Sequence, residues 1–426
     1  MNVRNFFFKI IIFFLLLLSL GQISCTSGAL SRRLLYSPRE SVERLVSGNS
    51  IEKEIEFLAL PVINSGEAVG VSIGILYPDG MMNFYGYGKT DNAENGIIPS
   101  GDTIFEVGSL SKLFVLSVYS SMLNDGIISE NTTVRDILPE NIKLKDDIAS
   151  VTMKELANHT AGFPREIWSF EQLSCFIKYV FTGENLYSYM DKNWLYEFLQ
   201  TVELPPREQR TYIYSNLGIS LLAHLLEIKS GKPYYQLAEE IVFKPLGMKD
   251  TFYKITEVQR KRLARGHAGD QPKFMLRGTS LTDWDMGDFM YPTGACYSTT
   301  RDLLIFSMAN LGITDTPLKK ILLDMQKFRV STSEEKFALG WSIDNCGIDD
   351  MTILYKHGMV SGYSAYIGFN PDTKIAVVTL YNSFNWNEKI AHNLLIRLSS
   401  YAIHSGSRKN NIANKIKDTS KVSGIE

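Results

Sequence analysis

Residues 108–112 read Gly108-Ser109-Leu110-Ser111-Lys112, and the lysine in this stretch constrains the fold more than any other residue. Lys112 is the only charged residue between Glu106 and Asp125, and the residues after it are apolar nearly all the way round a helix. A helix that is hydrophobic on every side is a buried helix. Because an unpaired buried ammonium is costly or loses its proton, Lys112 needs a polar cleft or a specific partner.

A serine hydroxyl stands three residues before this lysine. If the helix begins near Ser109, the i to i+3 spacing places Ser109 and Lys112 on the same helical face. A hydroxyl beside a partly desolvated lysine is one arrangement that produces an activated serine nucleophile. The alternative is that Ser109 caps the helix while Lys112 reaches water, and the short S-x-x-K pattern by itself leaves both interpretations open.

The composition is that of an ordinary globular protein. The 426 residues are 45% hydrophobic and 21% charged, so one large domain or two closely packed domains are expected. A formal net charge of -2 argues against a nucleic-acid partner, which needs a basic surface. The cysteines beyond residue 25 allow one disulfide at most, and they are Cys175, Cys296 and Cys346.

The N-terminus predicts export. Arg4 and Lys9 precede an apolar run over residues 10–20, which is short for a membrane span and typical of a signal peptide over residues 1–25. The mature protein is therefore expected in the periplasm or outside the cell, with membrane contact only through this segment. Two alternatives stay open, an uncleaved signal anchor and lipidation at Cys25. Residues 26–50 read as a polar leader and residues 406–426 as a disordered tail.

Strand patterns lie near both ends of the chain, with helical patterns between them. Residues 69–77 and 81–87 predict one hairpin, and residues 363–369 and 375–381 predict another. The order predicts an α+β fold, in which an antiparallel β-sheet flanked by helices carries an inserted all-helical domain, with the active site between the two parts. The domain would span residues 51–405, with the α/β part at about 51–108 and 290–405 and the helical part at about 109–289.

Helix boundaries are predicted from their stop and start residues. One helix over residues 51–60 should end at Pro61, and a second over residues 217–230 should end at Gly231. A third is expected from about residue 387 to residue 404, with a buried apolar stripe.

A competing serine is present in the first hairpin. Ser72 lies in Gly70-Val71-Ser72-Ile73-Gly74, which matches the G-x-S-x-G nucleophile elbow of α/β-hydrolases. That elbow requires a sharp strand-to-helix turn, whereas this serine is followed by a strand and a hairpin turn. Ser72 is therefore not expected to be a nucleophile.

Three segments in chain order change the interpretation of Ser109. They resemble the S-x-x-K, Y-x-N and K-T-G set of class C β-lactamases and related penicillin-binding D,D-peptidases, and they are Ser109-x-x-Lys112, Tyr214-Ser215-Asn216 and Lys356-His357-Gly358. Residues 158–164, 245–251 and 294–303 resemble further stretches of the same family. The resemblance covers roughly residues 60–400 and implies the β-lactamase/transpeptidase-like fold.

The resemblance implies a role for each matching residue. Ser109 would attack an acyl carbonyl and form an acyl-enzyme, while Lys112 and Tyr214 share the proton transfer; which of the two is the acylation base stays open. The backbone N–H groups of Ser109 and Met359 would form the oxyanion hole. The substrate, a small molecule or peptide, would be bound by Asn216, Lys356, His357 and Gly358. This chemistry needs no cofactor. No metal is expected either, because the histidines show no metal-ligand spacing.

One residue departs from the family pattern. His357 stands where the family has the threonine of K-T-G, so efficient β-lactam hydrolysis is in doubt while serine acyl-hydrolase chemistry is retained. The imidazole would either bind a carboxylate when protonated or only pack. The expected function is an exported serine hydrolase that cleaves an amide, peptide or ester. The alternative is a catalytically silent binding or scaffold protein of the same fold.

Overall fold

The computed structural model describes residues 50–165, 174–175, 178, 187, 189–271, 275–346, 349–385 and 390–405. The predicted signal peptide, the polar leader up to residue 49 and the predicted tail over residues 406–426 lie outside these residues. Within the described ranges, no helix has both the length and the apolar character needed to cross a membrane.

The described strands are short to medium in length and come from three parts of the chain. They are β1 (Gly70–Leu76), β2 (Met82–Gly88), β3 (Ile104–Glu106), β4 (His267–Ala268), β5 (Tyr297–Thr299), β6 (Phe328–Ser331), β7 (Lys336–Ala338), β8 (Ser342–Asn345), β9 (Thr352–Val360), β10 (Tyr363–Asn370), β11 (Ile375–Tyr381) and β12 (Ser383–Phe384).

The described helices lie before, between and after these strands. They are α1 (Ile51–Asn64), α2 (Ser111–Asn124), α3 (Val134–Ile137), α4 (Asp146–Ala149), α5 (Met153–Ala157), α6 (Lys192–Thr201), α7 (Asn216–Ser230), α8 (Tyr234–Ala238), α9 (Lys244–Leu246), α10 (Glu257–Arg260), α11 (Gly287–Met290), α12 (Thr300–Asn310), α13 (Lys319–Met325) and α14 (391–405).

The centre of the fold is an eight-stranded antiparallel sheet in the order β2-β1-β11-β10-β9-β8-β7-β6. Both predicted hairpins are confirmed, since β1 pairs with β2 and β10 pairs with β11. β11 also pairs with β1, so the two ends of the domain meet in one sheet. The predicted α+β fold class is confirmed by this arrangement. The described residues between β2 and β6 contain helices α2 to α13 and three short strands, of which β3 pairs with β5 and β4 pairs with β12.

Local sequence signals explain where the helices begin and end. The predicted helix over residues 217–230 is confirmed as α7, which is capped by the side chain of Ser215 and ends at Gly231 in the left-handed conformation. The prediction that Pro61 ends the first helix is wrong, because α1 continues to Asn64 with Pro61 inside it. Pro61 removes one intrahelical hydrogen bond, and α1 ends three residues later, at Asn64.

Each face of the sheet has its own hydrophobic core. One face packs against the helices between the sheet segments, including α2, α7 and α12. The opposite face packs against α1 and α14, which come from the two ends of the domain. Successive side chains of a strand point to opposite faces, so the central strands β1, β9, β10 and β11 contribute to both cores. On β9, Leu354 and Val360 face the first core, whereas Ile353 and Tyr355 face the second.

Candidate active site

Ser109 lies in a tight turn directly before the buried helix α2. Gly108–Leu110 form one turn of 3₁₀ helix, and α2 continues from Ser111. Lys112, in the first turn of α2, is only 1% exposed. Its ammonium donates one hydrogen bond to Ser109 Oγ and one to the main-chain carbonyl of Thr293, each 2.9 Å long. The buried lysine therefore has the specific polar partners that its sequence context requires.

Two glycines bring β9 against this turn. Gly108 has a φ of +50°, and a β-carbon there would lie 2.6 Å from both the nitrogen and the oxygen of Met359. A β-carbon at Gly358 would lie 1.9 Å from the carbonyl oxygen of Val107. Only glycine fits at both positions. The main chains therefore touch, and the backbone amide of Met359 lies beside the turn that carries Ser109.

The end of β9 has an open edge next to Ser109. β8 pairs with β9 only through Thr352–Tyr355, on the side away from β10. In the part of the chain that the structure describes, no strand pairs with residues 356–359 on that side. Unpaired main-chain N–H and C=O groups of such an edge can bind an extended ligand as an additional strand.

Tyr214 faces this turn from the segment that enters α7. Its ring centre is 5.2 Å from Lys112 Nζ and 4.8 Å from Lys356 Nζ. The guanidinium carbon of Arg165 lies 5.3 Å from the same ring. Asn216 is the first residue of α7 and follows the capping serine directly. The structure thus brings together three distant segments of the chain, which carry Ser109 with Lys112, Tyr214 and Lys356.

Cationic side chains surround these groups, although the acidic Glu335 also acts on Lys356. Burial lowers the pKa of Lys356, and the positive charges of Lys112 and Arg165 lower it further, while Tyr214 acts in the opposite direction. Three cationic side chains around one ring favour negative charge in the cleft between them. The site is therefore suited to an anionic group or to an oxyanion that develops during a reaction.

His159 supports this site, and its role was not predicted from the sequence. Its ring centre lies 4.8 Å from that of Tyr214, and its Nδ1 accepts a hydrogen bond of 3.1 Å from the N–H of Ser215. Its carbonyl accepts a second one from Ile213. Burial, followed by the charges of Lys356 and Lys112, holds the pKa of His159 well below 6.5. A neutral imidazole can act as the acceptor for Ser215, so His159 positions the segment that carries Tyr214.

Thr293 is the second residue that sequence reasoning missed. It contributes its main-chain carbonyl to Lys112, and any residue type offers that atom. No side-chain pattern could have indicated it. His159 lies in the stretch 158–164 that resembled the family, and that resemblance was the available signal.

His357 does not join the cleft through its side chain. Its ring centre lies 5.1 Å from that of Tyr355 and 5.6 Å from that of Tyr366, both in edge-to-face contacts. Tyr355 belongs to the core on the opposite face of the sheet from Ser109. Of the two alternatives for His357, these contacts describe packing and not the binding of a carboxylate in the cleft.

Ser72 lies in β1 and is fully buried. Its hydroxyl donates to the carbonyl of Ser100 at 2.8 Å and accepts from the hydroxyl of Thr300 at 2.7 Å. These bonds use the hydroxyl to join the sheet to α12. Cys175, Cys296 and Cys346 are all free thiols. Among the described residues, one set of three side chains is placed to hold a metal ion, and it lies on the face of the sheet opposite Ser109. It comprises Asp344, Cys346 and His392.

The chain matches the beta-lactamase family over residues 52–400. The chain belongs to the beta-lactamase family. A D-alanyl-D-alanine-carboxypeptidase/endopeptidase of Escherichia coli is 32% identical over 190 residues, which are 44% of this chain and 46% of that protein. The chain thus matches less than half the length of that relative. A beta-lactamase of Yersinia enterocolitica is 25% identical over 361 residues, 76% of this chain and 84% of that protein.

The fold of this beta-lactamase family member is also that of solved relatives. The class C beta lactamase of Rhodobacter sphaeroides superposes with a TM-score of 0.66 at 21% identity, over 84% of this chain and 99% of that one. This likeness shows the fold. The family match and the sequence relatives support a serine hydrolase.

Proposed function

We propose that this chain is an exported serine hydrolase that cleaves amide, peptide or ester bonds through an acyl-enzyme on Ser109. The observation that carries the proposal is the 2.9 Å contact between Ser109 Oγ and Lys112 Nζ, with the ring of Tyr214 5.2 Å from the same ammonium. Ser109 itself is partly exposed, so a substrate can reach its hydroxyl.

The reaction follows from these positions. Ser109 Oγ forms a bond to the acyl carbon while its proton passes to Lys112 or Tyr214, and the leaving amine or alkoxide takes a proton as its bond to that carbon breaks. Water then attacks the acyl carbon and gives a proton to Lys112 or Tyr214. The bond between that carbon and Ser109 Oγ breaks as Oγ takes a proton back, and the acid is released. The N–H groups of Ser109 and Met359 would stabilise the oxyanion in both steps.

We propose a peptide or ester with a nearby carboxylate as the preferred substrate. Lys356 and Arg165 lie within 5.3 Å of the Tyr214 ring, so an anionic group would be attracted beside the nucleophile. The Escherichia coli relative is by name a peptidase of D-alanyl-D-alanine. His357 supplies no hydroxyl at the position of the family's threonine, which favours peptidase or esterase activity over rapid β-lactam hydrolysis.

A labelling experiment tests the nucleophile. A fluorescent penicillin and a fluorophosphonate probe should label the wild type and the Ser72→Ala variant, but not Ser109→Ala. Intact-mass spectrometry after incubation with an acyl-D-Ala-D-Ala peptide and an activated ester should show an acyl adduct that Ser109→Ala lacks. Equal labelling of Ser109→Ala and the wild type would contradict the assignment. No adduct from any ester, lactam or peptide would favour a silent binding protein.

Export is tested separately, by the N-terminus of the mature chain. The apolar run over residues 10–20 supports a signal peptide, and cleavage is expected between residues 21 and 28. Mass spectrometry of the protein recovered from outside the cytoplasm would give the new N-terminus. A chain that keeps Met1 and stays with the membrane would support the uncleaved anchor instead.

A further inference from the structure

Three side chains with metal-binding chemistry meet on the face of the sheet away from Ser109. Asp344, Cys346 and His392 offer a carboxylate oxygen, a thiol sulfur and an imidazole nitrogen that all lie within 4.8 Å of one another. Zn²⁺ forms bonds of about 2.0–2.3 Å to such atoms, which places neighbouring ligand atoms roughly 3–4 Å apart. Small side-chain adjustments would therefore bring all three to one ion.

The backbone explains why these side chains converge. Asp344 lies in β8 and Cys346 follows the end of that strand, and residues two apart on an extended segment point the same way. The N–H of Cys346 donates to the carbonyl of Met351 at 3.1 Å, which closes the connection to β9. His392 approaches from the first turn of α14, which packs on the same face of the sheet.

The imidazole of His392 is already oriented for coordination. Its Nδ1 lies 2.7 Å from the hydroxyl of Tyr366, and its Nε2 lies 2.8 Å from Oδ2 of Asp344. Tyr366 is fully buried and fixed in β10. Ligating histidines are usually held by a hydrogen bond from the second ring nitrogen, which fixes the tautomer. With Nδ1–H donating to Tyr366, the lone pair of Nε2 would face the ion.

Hydrogen bonds hold the elements around the cluster together, and solvent can reach the cluster. The hydroxyl of Ser400 in α14 donates to Asp349 at 2.6 Å, so the connection between β8 and β9 is tied to the helix that carries His392. The side chain of His392 is 2% exposed and that of Asp344 is 32% exposed. An ion could reach the cluster from the side of Asp344 without unfolding the helix.

We propose that Asp344, Cys346 and His392 bind a divalent transition-metal ion, with Zn²⁺ as the preferred ion and water or another side chain as a fourth ligand. Thiolate and imidazole ligands favour Zn²⁺ over Mg²⁺ and Ca²⁺, which prefer oxygen ligands. The ion would join β8 to α14 and would stabilise the folded chain as its concentration rises. The site is separate from the Ser109 cleft, so the proposal does not rest on the proposed function.

Cobalt substitution tests the proposal. The full mature chain, stripped with a chelator, is titrated with Co²⁺, and the thiolate-to-Co²⁺ charge-transfer absorption is recorded. We expect about one Co²⁺ per chain, displaced by Zn²⁺. Cys346→Ser should lose the absorption, whereas Cys175→Ser, which removes a different thiol, should keep it. Zn²⁺ should raise the melting temperature of the wild type and of Cys175→Ser, but not of Cys346→Ser.

Tyr366→Phe tests the positioning of His392. The phenylalanine keeps the aromatic ring and removes only the hydroxyl that contacts Nδ1, so Zn²⁺ affinity should fall about 10- to 100-fold with the absorption maximum unchanged. Absent Co²⁺ absorption in the wild type, or equal affinity in Cys346→Ser and the wild type, would overturn the proposal. The three side chains would then be a hydrogen-bonded cluster only. Probe labelling of Ser109 in chelator-treated protein is expected to persist, so the two proposals fail separately.

Discussion

The two faces of β9 carry different chemistry although the strand is continuous. Lys356 and Gly358 turn toward Ser109, where Lys356 lies 4.8 Å from the ring of Tyr214 and Gly358 lets the two main chains touch. Tyr355 and His357 turn the other way, into ring contacts with Tyr366. Adjacent positions of one three-residue motif therefore belong to separate regions, because side chains of a strand alternate between its faces.

The same contrast holds for the charged groups on the two sides. On the cleft side, cations surround Tyr214 and the buried ammonium of Lys112 contacts Ser109. On the other side, His392 connects Tyr366 to Asp344. The comparison predicts that substitutions on the cleft side change the chemistry. Those on the other side should change stability or metal binding.

Lys112→Met should have the largest effect. Removing a group that transfers the proton of Ser109 should slow acylation by about 10²- to 10⁴-fold. Replacing a buried ammonium by an apolar chain of similar length should leave stability unchanged or higher. The rate of labelling by a fluorescent penicillin and a thermal melt measure the two effects. Wild-type labelling by the variant would show that Lys112 is a structural residue.

Gly358→Ala should have the second-largest effect. The added β-carbon would press on the carbonyl of Val107, so β9 must move away from Ser109. We expect about a 10²-fold slower acylation from the displaced main chain, and a stability loss of about 1–3 kcal/mol from overpacking. Gly218→Ala is the matched control. Its β-carbon would lie 3.5 Å from its nearest neighbour, in ordinary contact within α7, and it should be neutral or stabilising. Similar losses of acylation rate and stability in Gly358→Ala and Gly218→Ala would contradict the explanation that close main-chain contact requires glycine at position 358.

Lys356→Met and His357→Phe compare the two faces directly. The first removes a cation near the cleft and should raise KM for a substrate with a carboxylate about tenfold or more, the loss expected for a bond to a charged group. The second keeps a ring among Tyr355 and Tyr366 and should leave KM and kcat unchanged. Steady-state measurement of KM and kcat for an anionic and a neutral ester distinguishes the effects of the two substitutions. A KM increase in His357→Phe limited to the anionic ester would show that the imidazole binds the carboxylate after all.

His159→Asn should produce the smallest effect, and it concerns pH. The folded state holds the pKa of His159 below 6.5, so the unfolded chain binds more protons as the pH falls through that value. Stability should therefore decrease below about pH 6.5, by at most about 1.4 kcal/mol per pH unit from this group. Asparagine offers an oxygen in place of Nδ1 and tolerates the positive φ of 58°. Urea unfolding of both proteins at about pH 5 and pH 7.5 should show a weaker pH dependence in the variant. An equal change in the free energy of unfolding between the two pH values in both proteins would contradict the prediction.

Local features of the sequence were sufficient to predict several helices and strands of the fold. The two hairpins and the end of α7 at Gly231 each depend on a few neighbouring residues, and all three were predicted. Pro61 was misinterpreted because α1 continues past the proline for three more residues before it ends at Asn64. The match of Ser109 and Lys112 to the family was recognisable because the motifs at Tyr214 and Lys356 follow them in the family's order.

The residues that support the site could not be predicted in the same way. Thr293 acts through a main-chain carbonyl, which carries no residue identity. His159 depends on a backbone conformation and on burial against Tyr214. Asp344 and His392 are 48 positions apart and meet only because α14 packs on β8. The histidines were assessed as metal ligands by their spacing along the chain. That criterion misses ligands that come from separate elements of the fold.

The sequence by itself determined the class of fold, the lysine that needs a partner and the order of the motifs, because these depend on hydrophobic pattern and on residues close together in the chain. Only the tertiary structure decided which side chains share a cleft. Sheet pairing placed Lys356 toward Ser109 and His357 away from it, and the contact between Gly108 and Met359 joined two segments from opposite ends of the domain. Such contacts depend on strand register and packing between distant segments, which no local stretch of the chain contains.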